Sequence, residues 1–110
     1  MTAARFDELI HPSTRLSIVA LLAAADWVDF AFIRDQLDLS DSALSKQLST
    51  LEEAGYVRLE RQVSDRRRRV RARLTPAGRD AFRGHVEALR AIVGSADPES
   101  QPAAADRPRR

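Results

Sequence analysis

The chain has 110 residues, 44% hydrophobic and 31% charged, which is enough for one modest core and excludes a large multi-domain enzyme. It has no cysteine, so disulfides, thiolate metal sites and a cysteine nucleophile are excluded, and no apolar run approaches the roughly 18–20 residues needed to cross a bilayer. The net charge of +2 averages unlike parts: residues 58–73 hold eight Arg against two acids, whereas residues 1–57 hold four basic residues against nine acids. Such a stretch suits a polyanion, with a solvated basic loop as the alternative. A start without a secretory apolar core makes a cytoplasmic protein the expectation.

Phe6, Leu9 and Ile10 fall at helical spacing before Pro12, which predicts a short first helix ending near His11. Ser13 is placed to cap a second helix, with Ile18, Leu21, Leu22 and Ala25 as its apolar face. Trp27 to Phe30 interrupts the pattern as an extended segment or a capped loop, and Phe30, Ile33 and Leu37 mark a third helix ending near Asp38. Ser40 is a good N-cap for a fourth, with Asp41 matched to the dipole, Leu44, Leu48 and Leu51 as the core stripe, and Gly55 for the left-handed closing position. Two helices joined by so short a turn read as helix-turn-helix.

From Tyr56 the period changes to two. Val57, Leu59 and Val63 alternate with Arg58, Glu60 and Gln62, and Val70, Ala72 and Leu74 alternate with Arg69, Arg71 and Arg73, which predicts a hairpin whose basic tip spans residues 64–68. Thr75-Pro76 then starts a last helix running to about Val93, with Thr75 as cap and Pro76 at the first helical position. Its stripe of Phe82, Val86, Leu89 and Val93 is widened by Ala81, Ala88 and Ile92 beyond what a small core needs. A folded domain over residues 1–93 is expected, followed by a disordered Pro-, Ala- and Arg-containing tail over 94–110.

The expected fold class is thus mainly α with a small β-hairpin (α+β), in the element order of a winged helix-turn-helix. Residues 42–57, ending Leu51-Glu52-Glu53-Ala54-Gly55-Tyr56-Val57, resemble the recognition helix and following strand of MarR-like and ArsR-like bacterial regulators. Residues 9–18, with His11-Pro12-Ser13-Thr14-Arg15, and the run Leu74-Thr75-Pro76-Ala77-Gly78 resemble motifs flanking that helix in a small winged-helix group of such regulators. The resemblance covers residues 6–93. It implies a homodimeric transcription regulator, a repressor in the simplest case, on a roughly palindromic double-stranded DNA operator, with the N- and C-terminal helices forming the dimer interface.

On that reading the recognition helix offers Ser42, Ser45, Lys46, Gln47, Ser49 and Thr50 to DNA, and the wing offers Arg66, Arg67, Arg68, Arg69 and Arg71. One Lys against three acids between Asp41 and Glu53 leaves most of the phosphate attraction to the wing. Phe6, Leu9, Phe82, Val86, Leu89 and Val93 are the candidate dimer contacts. No phosphate loop, nucleophile motif or paired-carboxylate signature supports an enzyme, and no cofactor is expected. His11 and His85 are the only imidazoles; satisfied structural histidines are commoner than ligands, so no metal site is assigned. A small-molecule effector is a habit of the family, but Trp27, Phe30 and Phe32 read as core and rim rather than a pocket lining. The alternative from another class is a protein-interaction module whose basic hairpin binds an acidic partner.

Overall fold

The computed structural model describes residues 3–96. Its elements are α1 (Ser13–Ala23), β1 (Val28–Asp29), α2 (Phe30–Gln36), α3 (Asp41–Glu53), β2 (Val57–Ser64), β3 (Arg67–Leu74) and α4 (Pro76–Ala96). The mainly α architecture with a small sheet is the expected one. Ile10, Ile18, Leu22, Ile33, Leu44, Leu48, Leu51, Val57 and Leu74 form one buried core, so every element except the ends of α4 and of the hairpin is anchored to it. No helix among the described residues is long and apolar enough to cross a membrane.

The expected first helix is absent. Between Asp7 and Pro12 there is room for a single turn: the Asp7 carboxylate Oδ1 accepts from the Leu9 and Ile10 amides at 2.9 and 3.1 Å, and its carbonyl accepts from His11 N–H at 3.0 Å. One turn cannot recover the cost of helix nucleation. Residues 3–12 instead form a strap across α4, where Arg5 N–H bonds the Gly84 carbonyl at 2.9 Å. Pro12, not Ser13, occupies the N-cap of α1, and no side chain caps that end. The helix buries Ile18, Val19 and Leu22 and stops at Ala23, leaving Ala25 outside it. Arg79 closes this end by donating to the Ala23 and Ala25 carbonyls at 3.2 and 3.0 Å.

The extended alternative holds at Val28–Asp29, which pairs with β3 to give a three-stranded antiparallel sheet of order β1-β3-β2. The register Val57↔Leu74 and Leu59↔Ala72 turns the apolar set inward, while Arg58↔Arg73 and Glu60↔Arg71 face out. The hairpin turn is tighter than expected. Only Asp65 and Arg66 lie between the strands, both with positive φ (50° and 67°), so Arg67 and Arg68 belong to β3. Positive φ at both central residues gives the twist that a two-residue hairpin requires.

Gly55 has φ 81° and nothing within 4 Å of a would-be Cβ, so backbone conformation alone calls for glycine there. Gly78 is the opposite case: its Cβ would stand 2.1 Å from the Tyr56 carbonyl oxygen. Helix α4 starts as expected, with Thr75 Oγ1 accepting from Gly78 N–H at 3.0 Å, and continues through Ala96, three residues beyond the expected domain boundary. The remainder of the expected tail lies outside the described residues.

His85 is fully buried, and its ring joins the strap to the body. Its Nδ1 accepts from the Asp7 amide at 3.0 Å, so Nε2 carries the proton and donates to His11 Nδ1 at 3.3 Å. Asp7 Oδ2 in turn accepts from the Tyr56 hydroxyl at 2.6 Å, which holds the phenol above its ordinary range. Burial, then electrostatic repulsion of a protonated ring by His11, pushes the His85 pKa down against an opposing pull from Asp7. The neutral ring belongs to the fold, whereas the unfolded chain takes up a proton near pH 6.5; the unfolded state therefore binds more protons just below that pH. The expected result is full stability above about pH 6.5 and a falling melting temperature below it. Melting curves between pH 8 and pH 5 check this, with a shallower decline expected for His85→Gln.

Candidate nucleic-acid interface

The connection from α2 to α3 sets the recognition helix. Asp38 takes a left-handed φ of 56°, Leu39 N–H bonds the Arg34 carbonyl at 2.9 Å, and Arg34 Nη1 reaches Asp41 at 2.9 Å in the first turn of α3. The Ser40 hydroxyl oxygen accepts from Ala43 N–H at 3.1 Å as the N-cap. With Leu44, Leu48 and Leu51 buried, Ser42, Ser45, Lys46 and Ser49 are exposed, a short, polar outer surface that can approach base edges.

Two expected contacts are placed differently. Gln47 is half-buried on the flank of α3, where its Oε1 accepts from Arg15 Nη1 at 2.8 Å. Thr50 is half-buried as well, and its hydroxyl donates back to the Lys46 carbonyl at 3.1 Å. Both lie beside the core stripe rather than opposite it, because positions one before Leu48 and one before Leu51 fall on the edge of a 3.6-residue wheel.

Three arginines of β3 are paired toward the base of the wing. At its base, Arg73 pairs with Asp26 at 3.0 Å, Arg71 with Glu60 at 2.6 Å and Arg69 with Asp29 at 2.8 Å. The Trp27 ring lies under two of these guanidiniums, 4.6 Å from Arg71 and 5.2 Å from Arg73. Arg66, Arg67 and Arg68 are exposed at the tip, and among the described residues no carboxylate pairs with them. The structure thus leaves three of the five candidate wing residues without a carboxylate ion pair among the described residues and gives Arg69 and Arg71 carboxylate partners. Glu60 is the cross-strand partner that strand alternation anticipates, whereas Asp26 and Asp29 give no such signal, since their approach depends on β1 joining the sheet.

The candidate dimer contacts also divide. Leu9 and Phe82 pack on the chain's own core, and Phe6 lies 4.7 Å, centroid to centroid, from both His11 and His85. Val86 and Leu89 are half-buried; Val93 is 66% exposed and Ile92 55%. The two histidines satisfy each other, and no group of three or more His, Cys, Asp or Glu among the described residues could hold a metal ion. A cleft of about 400 Å³ between the strap and α4 is lined by residues including Arg5, Asp7, Tyr56 and Asp80, not by Trp27, Phe30 or Phe32.

A helix pair over a three-stranded sheet, with a polar recognition helix followed at once by a basic hairpin, defines a winged helix. A winged helix DNA-binding domain family profile matches residues 14–93, and the chain belongs to that family. It is 29% identical over 79 residues to an uncharacterized protein of Methanocaldococcus jannaschii, spanning 72% of this chain and 86% of that one. Among solved structures, a transcriptional regulator homologue from Pyrococcus horikoshii superposes with a TM-score of 0.78 at 24% identity, covering 83% of this chain and 90% of that one, and shares the fold. A MarR family transcriptional regulator from Silicibacter pomeroyi has a TM-score of 0.62 at 28% identity, with coverage of 88% and 64%. The family is one of DNA binding.

Proposed function

We propose that this protein is a sequence-specific transcriptional regulator that acts as a homodimer, a repressor in the simplest case, on a roughly palindromic operator. The observation that carries the reading is the wing-tip cluster of Arg66, Arg67 and Arg68, none of them ion-paired with a carboxylate among the described residues, in a chain whose α3 presents an exposed polar surface. In this reading Ser42, Ser45, Lys46 and Ser49 meet base edges in the major groove, and the wing tip meets phosphates along the backbone. Gln47 and Thr50 border that surface, and Arg69 and Arg71 support the wing from behind the tip. The second copy packs on the outer part of α4, where Val86, Leu89, Ile92 and Val93 continue past the core, with Phe6 from the strap at its edge. An effector has a place in this scheme as an unidentified small molecule.

Selection of bound sequences from random duplex DNA by the purified protein tests the reading. An inverted repeat with half-sites about 10 base pairs apart, one helical turn or about 34 Å, is the expected product. Recovery of a single unrepeated site removes the symmetric dimer. No enrichment, together with capture of an acidic protein by the hairpin, favours the interaction-module alternative.

A further inference from the structure

Arg15 has a charge environment unlike that of the other arginines whose side-chain bonds the structure defines. Arg34, Arg69, Arg71, Arg73 and Arg90 each meet a carboxylate. Arg79 meets only carbonyls, but at the C-terminal end of α1, where the helix dipole favours a cation. Arg15 donates from Nε to the Leu9 carbonyl at 2.6 Å and from Nη1 to Gln47 Oε1 at 2.8 Å. Both acceptors are neutral. The residue also lies in the first turn of α1, which contains no acid and where the dipole disfavours a cation. Helix stability does not account for a cation here, and the two bonds do not neutralise it.

These bonds do fix its direction. Nε and Nη1 are held from two sides, one by the strap and one by the recognition helix, while Nη2 makes no hydrogen bond among the described residues. The half-buried guanidinium is therefore rigidly held on the flank of α3, beside Gln47 and one residue along from exposed Lys46. A planar fork with a free edge is well matched to a phosphate oxygen, and phosphates border the groove that a recognition helix enters. We propose that Arg15 is a DNA-phosphate contact that sets how α3 sits in the groove, a residue outside both the recognition helix and the wing.

This inference rests on the DNA-binding reading, and its test separates the two. Affinity of the full chain for a fixed random-sequence duplex is measured by fluorescence anisotropy over a range of salt, for the native protein, Arg15→Met, Arg15→Lys and Gln47→Ala. Freeing one phosphate from its cation lowers the log-log salt slope by about 0.9, the result expected for Arg15→Met. Arg15→Lys keeps the charge and should restore the slope, and Gln47→Ala, which removes the strut but not the charge, should leave the slope in place. Should Arg15→Met melt below the assay temperature, Arg15→Gln, which can still bond the Leu9 carbonyl, is read instead with the same expected drop. An unchanged slope with affinity lowered equally at every salt concentration makes Arg15 a structural strut and overturns the proposal alone. A native protein whose binding ignores both DNA and salt overturns the DNA-binding reading itself.

Discussion

Replacing Arg67 and Arg68 with alanine should weaken binding to every duplex and lower the log-log salt slope by about 0.9 for each phosphate these side chains neutralise, or about 1.8 for two. The size follows from the sorting of charge along the wing. Pairing with Asp26, Glu60 and Asp29 offsets the charge of Arg73, Arg71 and Arg69, whereas Arg66, Arg67 and Arg68 have no carboxylate ion pair among the described residues and keep their attraction for phosphate. Sequence preference should persist, because the substituted side chains belong to the wing and not to the polar surface of α3. Anisotropy titrations from low to physiological salt give the slope, and repeating the random-duplex selection with the double variant gives the preference. Matching experiments on Ser42, Lys46 and Ser49 should show the reverse, a loss of about 1–3 kcal/mol on the preferred operator with nonspecific affinity nearer intact.

Gly78→Ala should be more damaging than alanine at Gly55 or Gly84. Its Cβ would meet the Tyr56 carbonyl oxygen at 2.1 Å, and that carbonyl is already engaged by Thr75 N–H at 3.0 Å. Tyr56 is further tethered by its hydroxyl to Asp7, so neither backbone can withdraw without releasing the start of α4 from the end of α3. Overpacking against fixed backbone justifies a destabilisation of about 3 kcal/mol, or about 10–20 °C in melting temperature for a domain this size. Gly55→Ala is the comparison within the same set of melts: it meets no atom and is limited to the left-handed backbone penalty, about 1–2 kcal/mol.

What is legible in the residues is whatever rests on local pattern. The Leu44, Leu48 and Leu51 spacing, the Ser40 and Thr75 caps, the Gly55 closure and the two-residue alternation after Tyr56 all depend on neighbours in sequence, and the structure has each of them. The strap is not a helix because Phe6, Leu9 and Ile10 supply apolar spacing without enough length, and the decisive partners, Gly84 and His85, lie nearly eighty residues away. The motif assigns Gln47 to the groove, yet its amide oxygen is bonded to a residue thirty-two positions earlier. Likewise, which wing arginines stay unpaired depends on Asp26 and Asp29 reaching β3 through a two-residue strand. Local periodicity is silent on such distant meetings.

The two-residue turn at Asp65–Arg66 also restricts how this hairpin can vary over evolution. Strand side chains alternate by one, so inserting or deleting a single residue there, with the rest of the ladder sliding to match, would exchange the faces of one strand. Arg69, Arg71 and Arg73 would be driven toward Leu48 and Leu51, while Val70, Ala72 and Leu74 would turn outward beside Trp27. Changes in reach must therefore come in pairs of residues or be absorbed by a bulge at the tip. A relative with a longer wing can preserve the carboxylate-matched base only by obeying this parity, leaving the tip as the part free to change in length and charge.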